Sequence, residues 1–90
     1  MKLLDAVVAN TVGTAKKIVG PTTIFVESTN FSGGTVTVYV YRNATSPAVS
    51  SQTFTASGVM NDNIIGLHYV SATLAGCSGT PAALTVATPG

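Results

Sequence analysis

Ninety residues make one domain with room for a single core, and charged side chains are only 8% of the chain, far below the roughly 25% of an average soluble domain. Four Lys/Arg against three Asp/Glu leave a net charge of +1, which excludes both the clustered cations that neutralise nucleic-acid phosphates and the basic patch that an anionic membrane surface requires. The surface must be built from hydroxyls, amides and small apolar groups, and the weak repulsion between copies permits dense packing of identical subunits.

The chain opens Met1-Lys2-Leu3-Leu4-Asp5-Ala6-Val7-Val8. Asp5 interrupts the apolar stretch, and Asn10 and Thr11 end it too early for an export signal or a membrane span. The expected location is therefore the cytoplasm until assembly. Leu3, Leu4, Val7 and Val8 have helical spacing, but Thr11-Val12-Gly13-Thr14 breaks it. The prediction is a short strand, a turn, and a second short strand at Lys17-Ile18-Val19. Gly20-Pro21 then opens a strand over Thr22-Thr23-Ile24-Phe25-Val26-Glu27-Ser28.

Asn30 to Gly34 reads as a turn feeding the clearest strand of the chain, Thr35-Val36-Thr37-Val38-Tyr39-Val40-Tyr41-Arg42. Its period of two puts Val36, Val38 and Val40 in one row, suited to a core. Thr35, Thr37, Tyr39 and Tyr41 form the other row, polar at one end and aromatic at the other. Aromatics on a second face imply a sheet that expects to be covered. Asn43 to Ser51, with Pro47, reads as a loop, and Gln52-Thr53-Phe54 restarts extended structure. A weak strand includes Val59 and Met60.

Ile64 to Leu74 is the next strong run, with Val70, Ala72 and Leu74 on one face. Gly76 to Pro81 turns, and Ala83-Leu84-Thr85-Val86-Ala87 closes the domain. Short strands at intervals of about 8–12 residues, joined by Gly, Asn, Ser and Pro turns, predict an all-β fold: a small antiparallel β-sandwich or jelly roll spanning residues 1–90.

Residues capable of chemistry are few. His68 is the sole histidine and shares a face with Val70, so a His-based metal cage or a Ser-His-Asp triad would need every partner from elsewhere; it reads as structural, partly buried or at an interface. Asp5, Glu27 and Asp62 lie in three separate segments. Asn61-Asp62-Asn63 lacks the later acids of a calcium loop and reads as a turn. Cys77 has no partner for an intrachain disulfide and no basic neighbour in sequence to lower its pKa, so it reads as an inert thiol. Gly33-Gly34 lacks the Lys and helix of a phosphate loop. Asn30-Phe31-Ser32 and Asn43-Ala44-Thr45 match the glycosylation sequon, read as chance without a secretion signal. No catalytic residue, metal site or cofactor is expected. Phe25, Tyr39, Tyr41 and Tyr69 remain, as a stacking platform for sugars, a subunit interface, or the second layer of the sandwich.

One resemblance bears on the choice. Phe31-Ser32-Gly33-Gly34-Thr35-Val36-Thr37-Val38, the later Tyr69-Val70-Ser71-Ala72-Thr73-Leu74, the Gly-rich turn into the last Thr-Val strand, and the opening Leu3-Leu4-Asp5-Ala6-Val7 together resemble small virion proteins of tailed bacteriophages. The resemblance covers about two thirds of the chain. Its motifs of alternation and glycine turns recur in many β-proteins, and Arg42-Asn43-Ala44-Thr45-Ser46 stands where those proteins often carry an Asp-Gly-x-x-Trp-like turn. It implies a capsid decoration or cement protein on the virion exterior, made in the host cytoplasm, non-enzymatic, partnered with the major capsid protein and forming a homo-oligomer, a trimer by preference. The implied interface comprises Leu3, Leu4, Phe25, Tyr39, Tyr41 and Tyr69, with residues 1–10 as an extended arm reaching the capsid. The alternatives are a tail, collar or head-fibre subunit, or a carbohydrate-binding or adhesion module.

Overall fold

A computed structural model describes residues 1–89 and contains nine strands and no helix among them. The strands are β1 (Lys2–Val7), β2 (Thr11–Val12), β3 (Lys16–Val19), β4 (Phe25–Glu27), β5 (Thr35–Tyr41), β6 (Ala48–Phe54), β7 (Gly58–Val59), β8 (Leu67–Ala75) and β9 (Leu84–Ala87). They form two antiparallel sheets. One has the order β1-β9-β4-β7; in the other β6 pairs β5, β5 pairs β8, and β2 and β3 share the far side of β8.

The period-two pattern of β5 is realised as expected. Val36 and Val38 are fully buried and Val40 nearly so, while the alternate Thr and Tyr positions are half-buried on the opposite side. Val70, Ala72 and Leu74 of β8 join them, and Leu4, Val26, Leu84 and Val86 come from the facing sheet to complete one cluster. Each fully buried Val or Leu contributes about 1.5–3 kcal/mol relative to exposure. The core is thus a single apolar layer between the two sheets.

The first ten residues are not an arm. Lys2–Val7 pairs with β9 through Lys2↔Ala87, Leu4↔Val86 and Val7↔Leu84, and Leu3 and Leu4 are 5% and 3% exposed in the core. Two register irregularities in this pairing let consecutive leucines both turn inward. That is why Leu3 and Leu4, expected at an interface, are unavailable to a partner.

Other boundaries shift for local reasons. The strand expected over 22–28 shortens to Phe25–Glu27 because Thr22 instead makes an isolated bridge to Ile64 and the Ile24 carbonyl accepts the Met60 N–H at 2.8 Å. The run from Ile64 begins as a strand only at Leu67, after Gly66 at φ +74°. The largest difference lies at β6, which starts at Ala48 rather than Gln52. Asn43 Oδ1 accepts the N–H groups of Thr45 (3.1 Å) and Ser46 (3.0 Å), an Asx-type turn that closes the β5–β6 hairpin early. Pairing with β5 then holds Ser50 and Ser51 in a strand despite their weak β-propensity.

β2 and β3 are two parts of one broken edge. Between Val12↔Thr73 and Lys16↔Val70 three residues oppose two, and the Gly13 N–H bonds the Ala72 carbonyl at 2.9 Å across the break. A Cβ on Gly13 would lie 2.6 Å from that carbonyl oxygen, so the close approach requires glycine.

Candidate functional site

The register places the outward side chains of the five-stranded sheet in rows. Thr53, Thr37, Thr73 and Val12 form one; Ser51, Tyr39 and Ser71 the next; Ala48, Tyr41, Tyr69 and Lys17 the third; Leu67 and Val19 the last. Tyr39, Tyr41 and Tyr69, from two strands, are therefore brought together on one surface. The rings of Tyr39 and Tyr41 have centroids 6.4 Å apart and are tilted by 32°. The Tyr41 hydroxyl lies 3.0 Å from Ser71 Oγ, fixing that ring over the sheet, and Thr37 Oγ1 lies 3.4 Å from Thr53 Oγ1.

The centre of this face is partly covered by its own side chains, with the three tyrosines half-buried and Ser71 6% exposed, while its margins are open. Val12 is 82% exposed, Val19 69% and Leu67 55%. Lys17 is the only ionised side chain in the rows. The face therefore combines three amphipathic rings, several hydroxyls and bare aliphatic groups with almost no charge, the composition of an association surface rather than a solvated one.

Phe25 lies elsewhere. It points outward from the four-stranded sheet in the row Lys2, Ala87, Phe25, Val59, on the far side of the sandwich. Of the six interface residues expected from the sequence, three converge, two are core and one stands on the opposite face.

Sequence reasoning did not anticipate one concave feature. Val40, Val49, Ser50, Asp62, Asn63, Ile64 and His68 line a cavity of about 260 Å³ between the five-stranded sheet and the 62–64 segment. Ser50 Oγ donates to Asp62 Oδ2 at 3.2 Å, and His68 Nδ1 is buried with no hydrogen-bond partner. The three residue types of a hydrolytic triad thus share a cavity, yet the histidine bonds neither the serine nor the carboxylate. The base-to-nucleophile and base-to-orienter hydrogen bonds that define such a triad are not formed in this arrangement. Its convergence depends on β6 and β8 flanking the 61–63 turn, which separation in sequence conceals.

Cys77 is a half-buried free thiol, 3.6 Å from the Phe31 carbonyl oxygen. Among the described residues no cluster of three or more His, Cys, Asp or Glu has the proximity to hold a metal ion, and no helix is long and apolar enough to cross a membrane. No family model matches the chain, and neither curated proteins nor solved structures give a significant match.

Proposed function

We propose that the protein is a non-enzymatic structural subunit of a tailed-phage virion, seated on the outside of the capsid through the outer face of its five-stranded sheet and bridging neighbouring capsomers. The observation that carries this reading is the uncovered, nearly uncharged surface of Tyr39, Tyr41, Tyr69, Val12, Val19 and Leu67. Such a surface gains free energy by leaving water, and the tyrosine hydroxyls keep hydrogen-bonding capacity at the contact. A low net charge lets many copies sit close together. Bridging adds interface free energy between capsomers and so opposes the outward pressure of packaged DNA, and repeated seating makes weak single contacts sufficient.

The resemblance of the strand phrases to phage virion proteins supports the choice of particle. A sugar platform is less favoured, because rings inclined at 32° do not present one flat stacking plane. Quantitative mass spectrometry of purified particles tests the proposal. A copy number comparable with that of the shell protein supports decoration; the count of a tail or collar ring reassigns the subunit within the virion; absence from the particle overturns the reading.

A further inference from the structure

A two-sheet sandwich has four edges, and three of them here are defended against pairing with another chain. β1 carries two register irregularities, the charges of Lys2 and Asp5, and Ala6 at φ +50°. β7 is two residues long. The β2–β3 edge is broken at residues 13–15 and carries Lys16 and Lys17. Short length, bulges and lysines are the devices by which edge strands avoid joining to one another.

β6 has almost none of these. Its seven residues, Ala48 to Phe54, contain no charge, proline or glycine, and its one irregularity lies near the Ala48 end. Its backbone pairs with β5 on one side, and among the described residues no loop backbone or side chain bonds the other. The Ser50 and Gln52 side chains bond Asp62 and the Asn61 N–H, which holds residues 61–62 beneath the strand and leaves its outer edge open.

We infer that β6 pairs antiparallel with β6 of a second copy across a two-fold axis at Ser51, joining the two five-stranded sheets into one of ten strands. The strand is self-complementary in that register. Val49 meets Thr53 of the second copy and Ser50 meets Gln52, the ladder ending before the irregularity at Ala48, so no β6 side chain brings a charge into the pairing. A two-fold that makes strands antiparallel within one sheet also puts both outer faces on the same side. The two tyrosine surfaces become one continuous surface. A closed three-fold ring built by edge pairing would need a second, different open edge on every copy, and the other three are defended; the pairing therefore gives a dimer rather than the trimer expected from the resemblance.

The inference concerns contact between copies and does not depend on the virion reading, so its test uses the isolated full chain. Sedimentation equilibrium under reducing conditions is expected to give a dimer mass. Ser51→Lys places two like charges across the axis on an exposed position and is expected to raise the dimer dissociation constant by roughly tenfold or more, with the far-ultraviolet circular dichroism of a folded β-protein retained. Ser51→Cys in a Cys77→Ser background supplies an independent check: oxidised glutathione as the oxidant is expected to yield a covalent dimer, because directly opposed strand positions bring the Cα atoms within disulfide reach. A monomeric or trimeric wild type, a dimer indifferent to Ser51→Lys, or no covalent dimer would each overturn the pairing.

Discussion

The two outer faces of this sandwich are built on the same core but are prepared for different surroundings. The four-stranded sheet carries Lys2, Asp5 and Glu27, with a Lys2–Asp5 ion pair at 3.1 Å and Phe25 half-buried in its row. The five-stranded sheet has Lys17 as the one charge in its rows, against three tyrosines and three bare aliphatic side chains. Charges help to solvate the first face, where Val59 is 58% exposed beside Phe25, whereas the second sets three exposed aliphatic side chains among tyrosines with one charge in its rows. Three of the seven charged side chains lie on the first sheet and one in the outward rows of the second, and the proposed contact side rests on that contrast.

Substitutions that separate core, contact face and solvated face sharpen this contrast. The largest effect is expected from Leu4→Ala, which empties a core position on β1 and should cost about 2–5 kcal/mol by denaturant unfolding; a negligible loss would detach β1 from the core and restore an arm. Tyr39→Ser combined with Tyr41→Ser should abolish attachment to capsids in a co-sedimentation assay, with the β-fold retained by circular dichroism. The matched pair on the other face, Phe25→Ser with Val59→Ser, should leave attachment intact, and the reverse result would exchange the roles of the two faces. Val19→Lys and Leu67→Lys, at exposed positions, should weaken attachment severalfold while unfolding free energy stays within about 0.5 kcal/mol of the parent. Smallest is Lys2→Ala, whose exposed ion pair should be worth less than about 1 kcal/mol and should lose even that in high salt.

Much of the fold was legible wherever one strand's own alternation decided burial. β5 and β8 were readable because Val36, Val38, Val40, Val70, Ala72 and Leu74 repeat every second residue, and each is buried. The tyrosine face was partly legible for the same reason, since Tyr39 and Tyr41 occupy the second row of β5. Leu3 and Leu4 were misread because adjacent apolar residues do not alternate, and only irregular pairing with β9 turns both inward. Phe25 was placed with the tyrosines by residue type, but it belongs to the other sheet.

By itself, the sequence determined that the protein is an all-β domain with little charge, a valine core row and a tyrosine row opposite, because period-two burial and composition are local properties of the chain. Tertiary structure alone decided which strands neighbour one another, and with that the gathering of Tyr69 beside Tyr41, the sharing of one cavity by Ser50, Asp62 and His68, and the open edge of β6. Those outcomes rest on pairings between segments far apart in sequence, where hydrogen-bond register and the shared core make the choice.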